Sequence, residues 1–80
     1  MKVYLDKNGE KILIGRADVP EGLPFFDVEL FGSSSMITDR FTIGSVTHLH
    51  AGQPPFVETA VIVRPGQYAE ILPGWQPLSA

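Results

Sequence analysis

The sequence predicts an all-β fold: a small, partly open barrel or two-layer sandwich of five or six short antiparallel strands. Three observations carry that expectation. Eight glycines and seven prolines among 80 residues, together with polar turn clusters, interrupt every stretch long enough for a helix. The segments between them alternate apolar with polar side chains, the period of a strand with one buried face. Turn chemistry then recurs near both ends of the chain, where strand pairs need it.

Residues 3–5 and 11–14 form the arms of a first hairpin around Asp6-Lys7-Asn8-Gly9. The Asp6 carboxylate suits the first position of a type I turn, and Gly9 accepts a positive φ without steric cost. Residues 15–24 are a connector, because Pro20, Gly22 and Pro24 forbid regular structure. A strand follows over 25–31, with Phe26, Val28 and Leu30 on the buried face and Asp27 and Glu29 on the wet one. Gly32-Ser33-Ser34-Ser35 breaks the chain; Ser34 or Ser35 is able to cap one short helical turn through Asp39, but β-rich Phe41-Thr42-Ile43 follows too soon for a real helix. Over 41–49, Phe41, Ile43 and Leu49 share one side of a strand and Val46, His48 and His50 the other, with a bulge at Gly44. Residues 57–63 and 67–72 form a second hairpin around Arg64-Pro65-Gly66-Gln67, whose proline and glycine match a type II turn. One β domain therefore spans 1–72. Residues 73–80 are a Pro/Gly/Trp tail whose prolines are expected to keep it out of the sheet.

Composition narrows the function. The net charge is −3, and the six basic side chains are scattered singly between Lys2 and Arg64. A phosphate-gripping surface needs clustered cations, so no nucleic acid is expected as a partner. An acidic chain is repelled by anionic lipid, and no segment approaches the ~20 apolar residues of a spanning helix. Met1-Lys2-Val3 enters a strand pattern at once, without the apolar run of a secretory signal. The expectation is a soluble, cytoplasmic protein with no membrane partner. With no cysteine, neither disulfides nor a Cys-based zinc cluster supplements a thin core.

Residues 41–57 and 71–80 contain no Asp, Glu, Lys or Arg. Charged residues make up 19% of the chain, against roughly 25% in soluble domains. Uncharged surface on so small a molecule calls for a cover, and the simplest cover is a second copy of the chain. Phe25, Phe56 and Trp75 are the candidate contact residues. The leading expectation is a non-enzymatic β domain acting through protein contacts, as a homodimer or accessory subunit, with no cofactor.

His48-Leu49-His50 carries the one hint of metal chemistry. In a strand, residues two apart face the same side about 7 Å apart, so two imidazoles can converge on one ion. With Gly44 before them, Glu58 on the next strand and Gly66 at the following turn, these residues resemble the first metal-binding motif of cupins. The resemblance covers residues 44–66. It implies a site of His48, His50 and Glu58 for a divalent metal such as zinc or nickel, in a small metal-binding protein or metal-dependent enzyme. The interval from Gly44 to His48 is shorter than the cupin pattern and that from His50 to Glu58 longer; no histidine follows His50. No catalytic set is otherwise legible. Asp27 and Glu29 are solvated charges suited to guarding an edge strand. No serine sits in a nucleophile elbow, and Gly32-Ser33-Ser34-Ser35 lacks the Gly-Lys of a phosphate loop.

Overall fold

The computed structural model describes residues 1–31 and 36–78. Its elements are β1 (Lys2–Lys7), β2 (Glu10–Arg16), β3 (Phe25–Phe31), β4 (Met36–His48), β5 (Phe56–Val63), a 3₁₀ turn (Ala69–Ile71) and β6 (Gln76–Pro77). All six strands lie in one sheet of order β3-β4-β5-β1-β2-β6. The all-β expectation holds. The sheet is mixed, however, because β1 runs parallel to β5, with Val3, Tyr4 and Leu5 opposite Val61, Ile62 and Val63. It is not closed, because the end strands β3 and β6 do not pair with each other among the described residues. Among the described residues no helix is long and apolar enough to cross a membrane.

The first hairpin forms as expected, but its turn is displaced by one residue. Lys7 pairs with Glu10, leaving Asn8 and Gly9 as a two-residue loop with φ of 54° and 82°. Two positive φ values make a type I′ turn, whose twist matches that of the flanking strands. The ladder bulges between Val3 and Tyr4 rather than at Gly44, which pairs regularly with Ala60. Nor does a helical turn form at Asp39, which lies within continuous β4; Ser34 and Ser35 fall outside the described residues.

The second hairpin does not form. Arg64-Pro65-Gly66-Gln67 does turn, with Gln67 N–H donating to the Arg64 carbonyl at 3.0 Å and Gly66 at φ 95°. Both edges of β5 are already occupied, by β4 and by β1. The chain after the turn has no edge to join, so it leaves the sheet and folds across one face. There Ala69 and Leu72, with Ala17 and Val19 of the connector, cover Val3, Phe41, Val61 and Val63. A smaller cluster of Tyr4, Val46, Ala60 and Ile62 lies on the opposite face.

The tail returns to the sheet, contrary to the expectation from its prolines. β6 pairs Gln76 with Arg16 and Pro77 with Gly15, and Leu78 N–H donates to the Ile14 carbonyl at 3.0 Å. Alternation then turns the backbone of Pro77 outward, where the missing N–H costs nothing. Trp75 is half-buried and packs against the main core. Its seat requires a glycine: a Cβ on Gly15 would stand 2.5 Å from Trp75 Cη2 and also strike the Gln76 carbonyl oxygen.

β4 changes partner at Thr42. Met36 to Thr42 pair with β3, and Thr42 to His48 pair with β5. β3 and the first half of β4 thus form a two-stranded ribbon, and the molecule measures 54 × 29 × 23 Å. Gln67 clasps its base, donating from Nε2 to the Arg40 carbonyl at 2.8 Å and to Asp39 Oδ1 at 3.1 Å.

Gly15→Ala is expected to unseat the indole. Overpacking of this kind costs about 1–3 kcal/mol, so the urea midpoint should fall and Trp75 emission should shift to the red. Unchanged emission and midpoint would contradict the packing described.

Candidate functional site

A polar cluster occupies one face of the central strands, where β4, β5 and β1 lie side by side. Alternation along β1 puts Lys2 and Tyr4 on the same face, and the parallel pairing brings that face beside Glu58 of β5. Val46 pairs with Glu58 and His48 with Phe56, so His48 reaches Glu58 diagonally across the ladder.

Glu58 is the centre of this cluster, its side chain only 17% exposed. The Tyr4 hydroxyl donates to Glu58 Oε1 at 2.8 Å, and Lys2 Nζ lies 3.1 Å from Oε2. His48 Nε2 stands 3.4 Å from the Tyr4 hydroxyl and 3.7 Å from Glu58 Oε1. The single Tyr4 hydroxyl hydrogen is committed to Glu58, so only lone pairs face His48. Nε2 therefore acts as the donor in that contact. The imidazole also stacks on Phe56, with ring centroids 5.7 Å apart. Lys2 stands across from Arg16 in the β1–β2 ladder, a like-charge neighbour that the Glu58 carboxylate offsets.

Burial pushes the Glu58 carboxyl up. Hydrogen bonds from Tyr4 and Lys2, with the charges of Lys2 and His48, outweigh it and hold the group below the ordinary carboxylate value. Tyr4 moves the other way: burial, its hydrogen bond to Glu58 and that residue's negative charge all raise the phenol above 10.0.

The proposed metal ligands do not gather. His48 and Glu58 come together, but β4 ends at His48, and His50 lies beyond it in an exposed turn where its carbonyl accepts from Gln53 N–H at 3.1 Å. Residues two apart face the same side only while both belong to the strand. Among the described residues no three of His, Cys, Asp and Glu group as metal ligands. Glu58, moreover, is already engaged by Tyr4 and Lys2.

The candidate contact residues divide between the two faces. Register places Phe25, opposite Thr42, on the face that carries His48 and Phe56. Trp75 packs against the other face. The Arg40 guanidinium covers Phe25, 4.2 Å from the ring centroid, and pairs with Asp27 at 3.0 Å. Phe56 is 57% exposed, alongside Val57 at 59% and Leu49 at 76%.

Lys2 and Tyr4 were not legible as site residues. Alternation shows that they share a face, but nothing local signals that β1 pairs with a strand more than fifty residues away. Beside this cluster a cleft of about 630 Å³ is lined by Met1, Lys2, Arg16, Ser45, Glu58 and Thr59, among others. Its charges are mixed, Lys2 and Arg16 against Glu21 and Glu58, so it presents no single ligand chemistry. No family model, curated protein or solved structure matches the chain.

Both titrations shape stability. A depressed carboxyl stabilises fully above its ordinary value of 4.5, and that contribution is lost as pH falls through the lowered one. A raised phenol stabilises fully below 10.0, and its contribution is lost as pH rises beyond that. Tyr4→Phe is expected to cost about 1–2 kcal/mol at neutral pH. In urea unfolding across pH, the gap between native protein and variant should narrow at both extremes. A gap independent of pH would contradict the coupling of Tyr4 to Glu58.

Proposed function

We propose that the chain is a non-enzymatic β domain that works through protein contacts, most simply as a homodimer. One observation supports this above the others: the outer end of the β4–β5 hairpin exposes Leu49, Phe56 and Val57 within an uncharged segment, 41–57. Register puts Phe56 on the face away from the main core and Val57 on the core's own face, yet both stay exposed at this end of the ladder. Exposed apolar side chains grouped at one end, without interspersed charge, are the surface that association removes from water.

Pro54 and Pro55 immediately precede Phe56. Proline restricts the approach to the strand, so less freedom is lost when the ring docks. Stacking on His48 pre-orients the same ring. These features make Phe56 the centre of the contact, with Leu49 and Val57 around it. Phe25 and Trp75 play lesser parts, because Arg40 covers one ring and the other packs on its own sheet.

Light scattering at micromolar concentration tests the proposal. The native chain is expected to run as a dimer, and Phe56→Ser to weaken association at least roughly tenfold, as loss of a buried aromatic anchor does. A strict monomer that captures no partner protein would contradict it.

A further inference from the structure

β3 is an outer strand, and among the described residues its outer edge has no partner. The direction of its backbone groups follows from one hydrogen bond. Ile43 N–H donates to the Pro24 carbonyl at 2.9 Å, which makes those two a bonded pair. Alternation along the antiparallel ladder then turns the backbone of Phe26 and Val28 toward β4, and that of Phe25, Asp27 and Glu29 outward. These outward groups are a template for one more strand.

The side chains select the occupant. Asp27 and Glu29 are exposed on one face, while Phe26 and Val28 are half-buried on the other. Arg40 pairs with Asp27, and Glu29 has no cation partner among the described residues. A second copy fits poorly. Antiparallel pairing of β3 with itself sets carboxylate against carboxylate whether the twofold axis passes at Asp27, at Val28 or at Glu29, and like charges directly opposite destabilise a sheet. A strand that alternates basic with apolar residues meets both faces favourably. Its cations lie beside Asp27 and Glu29, and its apolar side chains extend the surface begun by Phe26 and Val28.

We propose that the outer edge of β3 binds an extended segment of another protein in which Lys or Arg alternates with apolar residues. This rests on the protein-contact reading and names a partner for a surface separate from the Phe56 end.

The test uses the full chain and an eight-residue peptide alternating Lys and Val, with a Glu–Val peptide as control. The Lys–Val peptide is expected to slow amide exchange at Phe25, Asp27 and Glu29, and to bind roughly tenfold tighter than the control. Glu29→Pro removes an outward N–H without breaking the β3–β4 ladder, and should abolish that protection. Glu10→Gln, which removes a charge elsewhere, should preserve it. Should Glu29→Pro fail to fold, Glu29→Lys replaces it and is expected to reverse the preference between peptides. Binding without protection of these three amides would overturn the proposal, as would equal binding of both peptides. So would a change of oligomeric state in Glu29→Pro, since a second copy would then occupy the edge. A dimer that persists while the peptide fails would overturn this inference alone and leave the Phe56 contact standing.

Discussion

The parallel pairing of β1 with β5 is the constraint from which most of this structure follows. It makes β5 a central strand, flanked on one side by β4 and on the other by β1. Residues 60–63 accordingly are buried without interruption rather than alternately, the pattern of a strand covered on both faces. With both its edges filled, β5 cannot accept a hairpin partner. The type II turn at residues 64–67 splays the chain away, and residues 69–75 become the lid of the core. A 3₁₀ turn, a buried Leu72 and the seat of Trp75 against Gly15 thus share one cause.

The same pairing assembles the polar cluster. Tyr4 and Lys2 reach Glu58 only because β1 lies beside β5, and they satisfy both carboxylate oxygens with a hydroxyl and an ammonium. A carboxylate so engaged is a structural tie between strands distant in sequence. It also orders the edge of the β4–β5 hairpin, since His48 contacts Tyr4 on one side and stacks on Phe56 on the other. The structural tie and the exposed ring of Phe56 are therefore continuous through one imidazole.

Much of the fold was legible because local patterns are honest about burial. Asp27 and Glu29 alternate with Phe26 and Val28, and β3 is a strand with one buried and one wet face at an edge of the sheet. The first hairpin was legible too, although Asn8-Gly9, both with positive φ, set a tighter turn than Asp6 implied. What alternation cannot convey is where a ladder stops or which edges are free. His48-Leu49-His50 continues the period beyond the end of β4, so alternation no longer fixes the side on which His50 lies. Residues 67–72 carry strand-like alternation but find no edge. Gln76 and Pro77 join the sheet because the outer position asks nothing of the proline nitrogen. Pairing between β1 and β5 leaves no local trace, and with it Tyr4 and Lys2 were hidden.

The parallel pair is most directly tested by proton–proton contacts across it in solution. The structure predicts backbone contacts from Val3 and Leu5 to Val61 and Val63, with slow amide exchange along both edges of β5. Contacts running instead from β5 to residues 67–72, with β1 paired only to β2, would show a C-terminal hairpin and contradict the topology on which the cluster at Glu58 depends.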